Sequence, residues 1–160
     1  MVCEKGEEIR VHTQILAALW PYFAKMMSND KEKTERIMRI DYPKDWVARL
    51  ILSIYKQQVA VISFDEATGL LILADVYLLP DSSEEAIHHI KQLVDEETSS
   101  EDLLLGWKRS REARNDEMKR FFASTIAKRD PLSQPELFEG WDKDMCVELY
   151  LDTLATITRE

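Results

Sequence analysis

The chain has 160 residues and a mass of 18.7 kDa, room for one domain or for one domain with a small appendage, which excludes a large multidomain enzyme. Thirty acidic residues against 21 basic ones give a formal charge of −9, which argues against a general binder of nucleic acid or of anionic membranes and points to protein partners. An apolar fraction of 45% with only four glycines and five prolines suits a packed, mainly helical core.

Cys3 and Cys146 sit at opposite ends and do not make a disulfide framework of the secreted kind, so a reducing compartment, cytoplasm or nucleus, is expected. The first residues, Met1 to Glu8, carry no apolar signal core. The longest apolar run, Leu70 to Ala74 with Val76 to Leu79 beyond Asp75, is too short to span a bilayer.

In chain order, short strands are expected at Val2-Cys3 and Ile9 to Val11 around a turn at Lys5-Gly6, then at Ile37 to Ile40 and Val59 to Ile62. Thr13 is placed to cap a helix carrying Ile15, Leu16 and Leu19. Pro21 suits the first position of another with Tyr22, Phe23, Met26 and Met27, so the two make a helical hairpin. Pro43 opens a longer helix whose Trp46, Val47, Leu50, Ile51, Ile54 and Tyr55 form one apolar stripe.

Ser63 and Glu66 have capping-box spacing, and the helix they begin is apolar nearly all round from Ala67 to Val76, as an element buried on several sides would be. Ser82 and Glu85 show the same spacing before Ala86, Ile87, Ile90, Leu93 and Val94. Past an acidic connection lie Leu103, Leu104 and Trp107, then Met118, Phe121, Phe122 and Ile126, with Asn115-Asp116 as turn and cap. Ser133 and Glu136 start a short helix with Leu137 and Phe138, and a last amphipathic helix carries Cys146, Leu149, Tyr150, Leu154 and Ile157.

Charge falls into blocks. Residues 81–102 hold eight acids and one base, 108–129 eight bases and three acids, and 130–160 eight acids and two bases. Such alternation marks helix faces that attract one another, and the acids spaced four residues from Lys108 and Arg120 argue against a nucleic-acid tract. Histidines are too few for catalysis or metal: His88 and His89 are adjacent on a helix and point about 100° apart, and His12 precedes a helix where backbone groups can satisfy it. Neither cysteine has a CxxC partner, no glycine-rich phosphate loop exists, and paired acids at helix starts are explained by the helix dipole. No catalytic, cofactor or metal residue is assigned.

The segment Val11-His12-Thr13-Gln14-Ile15-Leu16-Ala17-Ala18-Leu19-Trp20-Pro21-Tyr22-Phe23 follows the pattern of a hydrophobe and histidine, a leucine, then serine-proline-hydrophobe-phenylalanine. Ile40-Asp41 with Trp46, Leu50, Ile54 and Tyr55, and Leu71 with Ala74-Asp75, follow in order. On these residues the chain resembles the BTB (POZ) domain family over about residues 2–94. Trp107, Ala113, Asn115, Met118, Phe121 and Ile126 resemble a shortened BACK region.

The resemblance implies an α+β, mostly helical fold. A BTB/POZ-like core of a small sheet flanked by helices would occupy residues 1–94, and an all-helical BACK-like extension residues 99–157. It further implies a non-catalytic interaction module, an adaptor for a cullin-based ubiquitin ligase, with a self-associating structural or transcription-linked BTB protein as the alternative. The helix and strand that precede the core in dimeric members are expected to be absent, which disfavours a swapped homodimer. Trp20 replaces the family's serine, removing a cap worth about 1 kcal/mol and offering a bulky contact instead. Tyr55-Lys56-Gln57 replaces Tyr-Thr-Gly, and Lys31-Glu32-Lys33 lacks the hydrophobe and glutamate of many cullin binders. Candidate partner contacts are Trp20, Met27, Lys31, Glu32 and Tyr77.

Overall fold

The computed structural model describes residues 1–29, 37–57, 61–129 and 135–158. Among these, eight helices run α1 (Thr13–Leu19), α2 (Pro21–Met27), α3 (Lys44–Ile54), α4 (Phe64–Val76), α5 (Pro80–Leu93), α6 (Ser100–Glu112), α7 (Asp116–Arg129) and α8 (Lys143–Ile157), with 3-10 turns at Glu4–Gly6 and Pro135–Phe138. They belong to two compact units, Met1–His89 and Ile90–Glu160, which divide within α5.

In the first unit the expected small sheet is reduced, among the described residues, to two isolated bridges on Val2, antiparallel to Glu8 and parallel to Arg39. Val2 N–H donates to the Met38 carbonyl at 2.8 Å and its own carbonyl accepts from Ile40 N–H at 2.9 Å. The chain cannot extend the ladder because it turns at once: Lys5 and Gly6 both take positive φ, 63° and 76°, and the segment folds back on itself. The expected strand at Val59 to Ile62 falls partly outside the described residues, and Val61-Ile62 is not in a strand.

Local signals explain most helix boundaries. Pro21 takes the first position of α2, where its missing N–H leaves nothing unsatisfied. Ser63 and Glu66 form the expected capping box, Ser63 Oγ accepting from Glu66 N–H at 3.1 Å. Two expected caps are corrected. Thr13 is the first residue of α1, and His12 holds the cap position without a side-chain bond. Ser82 and Glu85 lie inside α5, which starts earlier at Pro80, and both side chains turn to other partners.

The core of this unit is α4, buried at every position from Ala67 to Ala74. Helix α3 packs against it closely enough that a Cβ at Gly69 would come within 2.2 Å of Trp46 Cδ2. At about 1.5–3 kcal/mol for each large apolar side chain removed from water, Leu70, Leu71, Ile72 and Leu73 hold this helix far more strongly than its cap does.

The described residues of the second unit form helices joined by turns and short connections. Each helix that starts within it is capped by a side chain: Ser99 Oγ accepts from Asp102 N–H at 3.0 Å, Asn115 Oδ1 from Met118 N–H at 2.9 Å, and Asp142 Oδ1 from Met145 N–H at 2.7 Å. Trp107, Met118, Phe122, Ile126 and Leu149 are fully buried between α6, α7 and α8. The basic block meets its acidic neighbours. Glu148 of α8 accepts from Arg111 Nε and from Lys119 Nζ, each at 2.5 Å, and Asp152 lies 3.4 Å from Lys119 while accepting from Trp107 Nε1 at 3.0 Å. Arg129 donates instead to the carbonyls of Asp95 and Thr98.

Candidate protein-interaction surface

Four aromatic rings meet where α1 passes into α2 and where α4 ends. Trp20, the residue between the two short helices, has its ring centroid 5.9 Å from Phe23, 6.1 Å from Tyr22 and 4.9 Å from Tyr77, the last edge-on. Tyr22 and Tyr77 also touch each other at 5.0 Å. The spacing is that of favourable aromatic pairs, each worth roughly 0.5–1.5 kcal/mol beyond burial.

Exposure sorts these rings by role. Trp20 is 0% exposed, so the expectation that it offers a partner a bulky contact is corrected: it is the floor of the cluster. The reason is geometric, since Pro21 turns the chain between the two helices and the indole is covered by Tyr22, Phe23 and Tyr77. Its buried indole N–H has no hydrogen-bond partner among the described residues. Tyr22 is 42% exposed and Tyr77 half-buried, so the two tyrosines form the solvent side of the cluster. Val76 and Leu78, the residues flanking Tyr77, are both exposed, Leu78 in a left-handed turn at φ 56°.

Burial pushes the Tyr77 phenol up to about 12, with Tyr22, Tyr42 and Asp41 adding to the effect. It is therefore a neutral hydroxyl at physiological pH. An aromatic body with a neutral polar tip, seated on a buried indole, is the kind of group that anchors protein contacts.

Met27 is half-buried and lines, with Val11, Phe23, Ile37 and Met38, an open cavity of about 440 Å³. Phe23 belongs to both groups, lining the cavity and stacking on Trp20. Lys31 and Glu32 lie outside the described residues.

Tyr22 was the residue missed by pattern, because an aromatic at helical spacing beside Phe23 reads as core. A second feature was missed altogether. Arg49, in the apolar stripe of α3, is 2% exposed, and its Nη2 donates to Glu85 and meets His89 Nε2 at 3.0 Å. The Ser53 hydroxyl donates to Glu85 Oε2 at 2.6 Å and lies 2.8 Å from the Ser82 hydroxyl. Arginine can only donate, so His89 Nε2 accepts and the ring proton resides on Nδ1. Burial, and then Arg49, hold the His89 pKa below its ordinary value, which keeps the ring neutral. The signal was Ser82, Glu85 and His89 recurring on one face of α5, and the cluster's role is to fasten α5 to α3.

Among the described residues no three His, Cys, Asp or Glu side chains converge as a metal site would require, and no helix is long and apolar enough to cross a membrane. Both cysteines are free.

No curated protein matches the chain. The family model of the BTB/POZ domain matches residues 1–93, more than half the chain and the stretch that holds the aromatic cluster, the cavity and the α3–α5 network. The chain belongs to the BTB/POZ domain family, whose domains are protein-interaction modules.

Proposed function

We propose that this chain is a non-catalytic adaptor whose BTB unit engages a cullin scaffold of a ubiquitin ligase. The observation that carries the proposal is the pair Tyr22 and Tyr77, laid over a fully buried Trp20, with Leu78 82% exposed beside it. A rigid aromatic face with an apolar neighbour gives a partner a preorganised anchor, so little side-chain entropy is lost on docking. The helices after residue 98 serve in this view as a shortened BACK-like extension that contacts the substrate or a protein carrying it. Such an adaptor would act in the cytoplasm or the nucleus.

The test is gel filtration of the purified chain mixed with cullin amino-terminal domains. The expected result is a shifted peak at tens of micromolar protein, and a loss of about tenfold or more in affinity for Tyr77→Ala and for Tyr22→Ala. No shift at that concentration defeats the proposal.

A further inference from the structure

The second unit holds an open groove of about 700 Å³ between α7 and α8. Arg120, Phe121, Ser124 and Lys128 line it from α7, and Asp152 and Thr156 from α8. Positions 120, 124 and 128 step by four, so they lie along one line of the helix, about 12 Å from end to end at 1.5 Å per residue. Arg120 and Lys128 are exposed, and Phe121 is half-buried beside them.

The charges along this groove are not balanced. The acids that reach it are already engaged: Glu117 accepts from Lys91 Nζ at 2.6 Å, and Asp152 accepts from Trp107 Nε1 at 3.0 Å and lies 3.4 Å from Lys119. Other cations of the basic block are taken up as well, Arg111 and Lys119 by Glu148, Lys108 over the Trp141 ring at 5.7 Å, and Arg129 by two backbone carbonyls. Arg120 and Lys128 form no ion pair among the described residues. The spacing of Asp116 and Arg120 suits one, but Arg120 Nε donates to the Asp116 backbone carbonyl at 3.1 Å instead. Between the two cations the half-buried Ser124 hydroxyl makes no hydrogen bond among the described residues, whereas Thr125 and Thr156 donate to carbonyls of their own helices. One row of α7 therefore presents two cations and a hydroxyl to a carboxylate-bearing ligand.

We propose that the groove between α7 and α8 binds an extended acidic segment of a partner protein, its carboxylates on Arg120 and Lys128 and an acceptor between them on Ser124. Four steps of an extended chain cover about 13 Å at 3.3 Å per residue, so the first and fifth side chains of such a segment reach the two cations and the third faces Ser124. A nucleic acid fits less well, because a continuous polyanion would also meet Glu117, Asp152 and the net charge of −9, while a peptide sets its charges at the cations alone. This is the contact assigned above to the helical extension, and the proposal rests on that part of the reading. No residue of the first unit lines the groove, so peptide binding and cullin binding succeed or fail separately.

The experiment is fluorescence anisotropy of a fluorescein-labelled peptide, Glu-Ala-Glu-Ala-Glu, titrated with the full chain. At low salt the expected Kd is on the order of 10–100 μM, and added salt on the order of 0.5 M weakens it about fivefold or more. Arg120→Ala and Lys128→Ala each weaken binding about fivefold, the double variant and the peptide Gln-Ala-Gln-Ala-Gln show none, and circular dichroism is unchanged because both side chains are exposed. Lys143→Ala, which removes an exposed cation outside the groove, leaves the affinity as it was. No rise in anisotropy with the chain at concentrations on the order of 1 mM overturns the proposal. So does an equal loss in Lys143→Ala, which makes the binding a matter of net charge, or a short thymidine oligonucleotide that displaces the labelled peptide more strongly than unlabelled peptide does.

Discussion

Arg49 on α3 forms an ion pair with Glu85 on α5 from inside the core, the arginine side chain 2% exposed and the glutamate 29%. Among the described residues its buried Nε and Nη1 find no hydrogen-bond partner, and Glu85 and His89 are the groups there that compensate a desolvated cation. Removing one member of such a pair costs roughly 3–5 kcal/mol, whereas replacing both by apolar groups of similar volume is close to neutral. Glu85→Leu and Arg49→Met are therefore each expected to lower stability by up to that amount, and the two substitutions together to recover most of it. Urea denaturation of the two single variants and the double variant checks this: simply additive losses would show that the pair is not coupled.

His89 makes the same network sensitive to acid. Its folded pKa lies below the ordinary value of 6.5, so on acidification the unfolded chain takes up a proton before the folded one does. Stability is undiminished above about pH 7 and falls as the pH drops through 6.5 toward the lower folded value. The groups facing the ring are Arg49, Glu85 and His88, and Glu85 opposes the shift only in part. Melting temperatures between pH 8 and pH 5 should decline for the wild type and flatten for His89→Gln; an unchanged slope in the variant would remove His89 as the cause.

Two glycines set helix separations. A Cβ at Gly69 would lie 2.2 Å from Trp46, whose indole is held in place by donating to Asp65 at 2.7 Å. A Cβ at Gly106 would lie 2.3 Å from the ring of Phe122, which is fully buried. Alanine normally strengthens a helix by about 1 kcal/mol over glycine, but overpacking costs about 1–3 kcal/mol. Gly69→Ala and Gly106→Ala are each expected to destabilise, read as lower melting temperatures, and Trp46→Ala combined with Gly69→Ala should lose less than the sum of the two.

The Tyr77 phenol offers an optical test of the aromatic cluster. With its pKa raised from 10.0 to about 12, the folded chain should show a phenolate absorbance step near pH 12 that Tyr77→Phe abolishes. Because the folded state favours the neutral phenol, stability declines as pH rises above 10 toward that value. A titration in which every tyrosine ionises near 10 would mean that the ring is open to water.

What the residues disclosed in advance was the local part of the fold. Ser63 with Glu66 could be read as a cap because both partners lie within one turn, and the run from Ala67 to Ala74 could be read as buried because it leaves no polar side. The same spacing at Ser82 and Glu85 misled, since their partners Ser53 and Arg49 are 29 and 36 residues away and no local pattern reports them. Trp20 followed the same logic in reverse: its place where the family carries a serine suggested a bulky partner contact, and only packing against Tyr77, distant in sequence, buries it. In α8 the periodicity announced an apolar stripe with Tyr150 and Leu154 but not its direction, and the structure turns those residues outward.

The tryptophans are distributed so that each unit carries its own optical reporter. Trp20 and Trp46 fall in the first unit, Trp107 and Trp141 in the second, and each pair contains one fully buried indole, Trp20 and Trp107. With Trp46 and Trp141 replaced by phenylalanine, the remaining emission of Trp20 or Trp107, isolated in turn, follows the melting of a single unit. Whether the two units come apart together or one after the other thus becomes a question that two fluorescence curves can answer.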